Sequence, residues 1–269
     1  MIAGPVAFSP ADRLQRAAEL LSKHWTIALP TALASVVLVG VVFFGVISVV
    51  VGTLLGHAAA GHVGTGLGLG TGLVVAASAF GVACLALLVA HAISVAAAPE
   101  VLADRAPDLA AAFFTVVRRL PDLIVAFVAC LLLAIVPLLL CFVLIGIPLI
   151  FVLGYLLMYV PAAVIIGGEG GLTAIATSIR IARTRVGESV VAWLGLFIAN
   201  VVAAVVNGIA VHIPFVNLVI GFVVGGLVTA YAALVIVDFY GELRSDAVPQ
   251  PQPQPVPSLP YGGPPTIIR

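Results

Sequence analysis

The chain has 269 residues, 63% of them apolar and only 8% charged, and its eleven basic and eleven acidic side chains cancel at neutral pH. Soluble domains carry about 25% charged residues, so a chain this poor in charge has too little polar surface to stay dispersed in water. The balance gives no sign of a nucleic-acid partner, and a mean hydropathy of +1.30 points to the lipid bilayer instead.

The charges are also unevenly placed. They fall in four short segments, and residues 24–99, 123–168 and 189–237 contain no Asp, Glu, Lys or Arg. A membrane-spanning helix takes about 20 apolar residues, so each uncharged block holds two spans and a turn. The expected fold is all-α: a polytopic membrane protein with six transmembrane helices in three hairpins and short cytoplasmic interfacial helices between them.

Residues 1–26 read as a cytoplasmic amphipathic segment. Ser9, Pro10 and Asp12 supply a capping hydroxyl, a proline at the first helical position and an acid three residues after the cap. Leu14, Ala18, Leu21 and Trp25 would then share an apolar face. With five charges in the first 23 residues and a long apolar stretch behind them, this start is not expected to be a cleaved signal.

Residues 27–243 form the expected transmembrane domain, with spans near 27–53, 73–98, 123–144, 148–168, 189–211 and 215–238. Between the first two, Gly61, Gly64, Gly66, Gly68 and Gly70 read as a loop. Two further short helices are expected in the headgroup plane or packed across the mouth of the bundle. One opens at Pro107, with Leu109, Ala112, Phe113, Val116, Val117 and Leu120 as its apolar side; the other turns Leu172, Ile175, Ala176 and Ile179 away from Thr173, Thr177, Arg180 and Thr184. Arg118, Arg119, Arg180, Arg183 and Arg185 on these helices are candidate contacts for anionic lipid headgroups. Pro137 and Pro161 are expected to kink spans three and four.

With six spans, every charged segment lies on one side. The positive-inside rule makes that side cytoplasmic, in a cell inner (plasma) membrane crossed several times, with both termini inside. Residues 244–269, which include the alternating run Pro249 to Pro255, read as a disordered Pro-rich cytoplasmic tail.

Few side chains inside the uncharged blocks carry chemistry. His91, Asn200 and Asn207 are candidates for a polar path or for interhelical contacts. Gly52 with Gly56 and Gly221 with Gly225 have the spacing that lets helices pack closely, within the chain or between copies. His57, His62 and His212 fall on the outer side without a metal-binding spacing. Cys84, Cys130 and Cys141 lie within spans and read as small apolar packers. No catalytic residue, metal site or cofactor is expected, and no nucleotide or hydrolase motif is present.

The run from Pro161 to Ile166, then Glu169-Gly170, then Leu172 to Arg183 with Ser178 inside it, resembles the segment after the fourth span in a family of six-span bacterial membrane proteins. Members of that family also form the membrane part of some glycerophosphodiester phosphodiesterases. Pro107-Asp108-Leu109 through Arg118-Arg119-Leu120-Pro121 is similar to the family's first cytoplasmic helix, so the resemblance spans about residues 10–244. This chain differs in having Gly167 and Gly168 before Glu169, and Thr177 where a basic residue is usual.

The resemblance implies a fold more than an activity. Phosphodiesterase chemistry needs a soluble barrel of roughly 250 residues, which the short cytoplasmic segments cannot build. The functions expected are therefore a non-enzymatic scaffold that organises lipids or a membrane or soluble protein partner, a transporter or lipid-handling protein for neutral or lipidic cargo, or, by resemblance, an accessory membrane subunit of an enzyme of phospholipid or envelope metabolism.

Overall fold

The structure, a computed structural model, describes residues 9–41, 47, 51, 65–141, 144–212 and 214–247. Gly52, Gly56, His57, His62 and residues 248–269 lie outside them, while residues 244–247, read with the Pro-rich tail in sequence, close the last helix. Every regular element among the described residues is helical. In chain order these are α1 (Pro10–Lys23), a 3-10 turn (Trp25–Ala28), α2 (29–41), α3 (Thr65–Leu102), α4 (Leu109–Leu140), α5 (Gly146–Leu157), α6 (Val160–Ile165), α7 (Gly171–Thr184), α8 (Val186–Ala210) and α9 (Pro214–Ala247). Five helical stretches are long and apolar enough to cross a membrane. A sixth is reached if Pro10–Lys23 and Trp25–Val41, which meet at 92°, are counted as one.

The start of α1 follows from its sequence. The Ser9 hydroxyl accepts from the Asp12 amide and the Asp12 carboxylate accepts from the Ser9 amide, both at 3.2 Å, closing a reciprocal cap behind Pro10. The buried stripe is shifted from the expected one. Ala17 is buried with Leu14 and Leu21 against the core, while Ala18 and Trp25 are exposed.

Three expected boundaries move. Helix α3 begins at Thr65, so Gly66, Gly68 and Gly70 belong to a helix rather than to a loop. The surface helix expected from Pro107 is the opening of α4, a single helix of 32 residues that runs through Pro121 and Pro137. Asp108 caps it by accepting from the Ala110 and Ala111 amides at 3.0 Å, and Phe113 and Val117, placed on the apolar side in sequence, are exposed. At about 1.5 Å per residue α4 is about 48 Å long, well beyond a hydrocarbon core of about 30 Å. In the fourth span the helix is interrupted at Met158 and Tyr159, close to Pro161, whereas Pro137 leaves α4 unbroken.

Helix α7 departs in the stripe that it buries. It is wedged against α4, α5, α6 and α9, and its buried face is Ala174, Ile175, Thr177, Ser178, Ile181 and Ala182. Leu172, read as part of the apolar face, is 66% exposed. Small side chains let α7 approach its neighbours, and Gly171 is the extreme case. A Cβ there would stand 2.5 Å from the Asp122 carbonyl oxygen and 2.7 Å from the Ala126 amide of α4.

The core sits toward one end of the bundle. Helix α9 is its axis, packing on α8, α3, α1 and α7, and Ala230 to Leu243 supply the most deeply buried stretch together with Ala92 to Val101 of α3 and Tyr159 to Ile165. Toward the other end the helices present Leu138, Leu139, Leu144, Ile209 and Val219 outward, as a lipid-facing surface does. The chain is a helical, multi-pass membrane protein.

Candidate functional site

The four charged segments, far apart in sequence, meet at the buried end. Arg13 of α1 pairs with Asp238 at 3.6 Å and with Glu242, and its guanidinium lies 5.6 Å from the centre of the Phe239 ring. Arg16 donates to the Leu102 carbonyl at 2.9 Å. Lys23 and His24 both reach Asp104, at 2.6 and 3.1 Å. Arg119 donates to the Gly168 carbonyl at 3.2 Å, and Arg244 lies 3.9 Å from Glu169. The N-terminal segment is thereby tied to the second and fourth, and the third to the second and fourth.

Asp104 closes α3 in a left-handed conformation, at φ 56°, which Asp tolerates better than most residues. The Lys23 hydrogen bond, then that of His24, holds its carboxyl below the ordinary value of 3.8.

Two polar arrangements lie beneath this platform. The first is the interruption between α5 and α6. The Ser178 hydroxyl of α7 donates to the Leu156 carbonyl at 2.7 Å and accepts from the Tyr159 amide at 3.2 Å, so one side chain serves two backbone groups that the broken helix leaves open. Tyr155 donates to the Ala182 carbonyl at 2.6 Å and Tyr159 to the Ser189 hydroxyl at 3.2 Å. Nothing local in the sequence marks this cluster; the signal that was available is a serine and a threonine on the buried face of α7.

The second is the turn Gly167 to Gly171. Gly168 has φ +67° beside the Arg119 guanidinium, and a side chain at Gly167 would collide with the Tyr240 hydroxyl and the Ala163 carbonyl. Arg244 lies over the Tyr240 ring at 5.7 Å. The Tyr240 hydroxyl and Glu169 Oε2 are buried there with no hydrogen-bond partner among the described residues.

The side chains singled out in the sequence do not form one site. His91 is half-buried in α3, which packs along α9 and α4 rather than along α8, the helix that carries both asparagines. Asn200 is exposed and donates to the Leu196 carbonyl of its own helix at 2.9 Å. Asn207 faces α9 instead, its Oδ1 buried 3.8 Å from the Cβ position of Gly221. A Cβ at Gly225 would meet nothing within 4 Å, whereas one at Gly226 would stand 3.0 Å from the Ala28 carbonyl oxygen. The close contact within the chain therefore falls one residue later than the spacing suggests.

Of the arginines, Arg118, Arg180 and Arg183 are exposed. Arg185 pairs with Glu188 at 3.1 Å, and Arg119 lies 3.9 Å from Asp122 as well as against Gly168. Among the described residues no three His, Cys, Asp or Glu side chains are grouped to hold a metal. The chain matches no family model, no characterised protein and no solved structure.

Proposed function

We propose that the chain threads a bacterial plasma membrane six times, as three hairpins with the charged end and both termini in the cytoplasm, and acts without catalysis as a bundle that organises lipids or a protein partner. The observation that carries this reading is the cross-linking of all four charged segments into one platform. Its rim leaves Arg118, Arg180 and Arg183 exposed, where anionic headgroups or a partner's acidic groups would meet them. Native mass spectrometry of the protein in lipid nanodiscs, with analysis of the lipids and proteins retained, tests it. A defined lipid or a bound protein supports the reading; bulk lipid alone, with a water-soluble small molecule held at fixed stoichiometry, contradicts it.

A transporter or lipid-handling reading draws on the interruption at Met158 and Tyr159, since broken helices frame the binding sites of many transporters. The polar groups at this break are already bonded to one another, which favours a stitch over a cargo site. The resemblance to the membrane part of glycerophosphodiester phosphodiesterases supports a narrower form of the partner reading, an accessory subunit of an enzyme of phospholipid or envelope metabolism. Co-purification of such an enzyme would establish it.

A further inference from the structure

Just past the interruption at Met158, α4 and α5 leave a groove between them of about 300 Å³, open along one side. Phe127, Cys130 and Ala134 line it from α4, and Gly154 and Leu157 from α5. Nearer the charged end the same face of α4 is closed by Leu123 and Ala126, both 2% exposed. One and two turns further on, Cys130 is only partly covered. Gly154 contributes no side chain, and a Cβ on it would stand 3.9 Å from Nε1 of Trp193 in α8.

Depth and charge indicate what fills the groove. Phe127 and Ala134 lie eight and fifteen residues beyond Arg119, about 12 to 22 Å along the helix. That places the groove in hydrocarbon, where only an apolar chain is at home. Cys130 follows Arg119 by eleven residues, close to three full turns, so the arginine stands above the groove on the same side of α4. Its side chain is 42% exposed and uses Nη1 on the Gly168 carbonyl. Arginine has five donors in a fork suited to phosphate, so others remain. Asp122 at 3.9 Å is the carboxylate on this rim, while Glu169 is turned to Arg244. The adjoining start of α7 has no side-chain cap, which adds donors of the same sign.

We infer that α4, α5 and the Gly167 to Gly171 turn form a site for one phospholipid of the charged-side leaflet, with an acyl chain in the groove and its phosphate on Arg119. This deepens the lipid-organising reading and rests on it.

The test is native mass spectrometry of the delipidated full chain titrated with phosphatidylglycerol or with diacylglycerol of the same chains. The expected result is one phosphatidylglycerol per chain, held at least tenfold more tightly than diacylglycerol. Arg119→Ala and Ala134→Phe should each weaken it about tenfold, and Arg105→Ala, on the exposed turn after α3, should leave it unchanged. One bound phosphatidylglycerol that is indifferent to both variants refutes this site but leaves the lipid-organising reading standing. No preference for phosphatidylglycerol refutes the site and removes the lipid part of that reading. A dimer that Ala134→Phe disrupts while lipid binding persists assigns the groove to a second copy and also overturns the site.

A readout independent of filling the groove uses Trp25→Phe, which leaves Trp193 as the sole tryptophan. Phosphatidylglycerol with brominated chains should quench Trp193 and saturate near one equivalent. Quenching that only rises with the lipid fraction overturns the site.

Discussion

The Ser178 hydroxyl donates to the carbonyl oxygen of Leu156 at 2.7 Å, joining α7 to the end of α5 where the fourth span is interrupted. Because the Ser178 hydroxyl oxygen also accepts from the Tyr159 amide, Ser178→Ala would leave two backbone groups unpaired in a buried site. Each costs about 1 to 3 kcal/mol when orphaned. The expected outcome is a destabilisation of about 2 kcal/mol or more, measured by unfolding in detergent micelles, with faster amide exchange confined to residues 155–165. A variant as stable as the parent would mean that the interruption is not held by Ser178.

Two buried tyrosines should respond in opposite directions. Tyr159 donates to Ser189 at 3.2 Å, so Tyr159→Phe loses that bond, at a cost of about 1 kcal/mol. The Tyr240 hydroxyl has no partner among the described residues. Tyr240→Phe should therefore be neutral or stabilising by up to about 1 kcal/mol. Thermal unfolding of the two variants side by side checks this.

A second contrast lies between adjacent glycines of α9. Gly226→Ala pushes a methyl to 3.0 Å from the Ala28 carbonyl and 3.2 Å from the Ala32 Cβ, while Gly225→Ala meets open space. Overpacking costs about 1 to 3 kcal/mol, and alanine is favoured over glycine in a helix interior by about 1 kcal/mol. Gly226→Ala should lower the unfolding midpoint and Gly225→Ala should not. If Gly225→Ala instead dissociates an oligomer without changing monomer stability, that glycine packs between copies.

Asp104 sets an acid limit on the contact between α1 and the end of α3. Its carboxyl is held below 3.8, first by Lys23 and then by His24. A group whose folded value is depressed contributes stability above its unfolded value and loses it as the pH falls through the folded one. The contact should thus hold through the ordinary carboxylate range and release only in stronger acid. Carbon NMR of labelled Asp104 should give a midpoint below 3.8 that moves upward in Lys23→Ala; a midpoint indifferent to Lys23 would dismiss the pairing.

Much of the outline was legible because charge is forbidden in hydrocarbon and caps are local. The uncharged blocks marked where the apolar helices lie, and Ser9 with Asp12 marked the start of α1. What was missed depends on partners distant in sequence. A surface helix over Leu109 to Leu120 and a span from 123 read as two elements, yet α4 runs through Pro121 as one helix. The glycines after Thr65 read as a loop for want of side chains, yet the backbone there is helical.

The candidate site was less legible still. Pro161 hinted at a disturbance in the fourth span, but the hydroxyl that bridges it comes from Ser178, whose helix was assigned to the membrane surface with its apolar residues inward. The structure buries Thr177 and Ser178 beside Ala174, Ile175, Ile181 and Ala182, and the small side chains among them let α7 reach α4 and α5 closely. Amphipathic spacing locates a stripe; it does not say whether lipid or protein covers it.

The central claim is that the four charged segments share one side of the membrane. It is tested most directly by single cysteines placed in a cysteine-free chain at Asp108, Thr184 and Val216, labelled with a membrane-impermeant reagent in intact and in opened cells. The account predicts that Val216 labels in intact cells, while Asp108 and Thr184 label only after opening. Labelling of Asp108 and Thr184 from opposite sides, or of Val216 from the same side as Thr184, would contradict it.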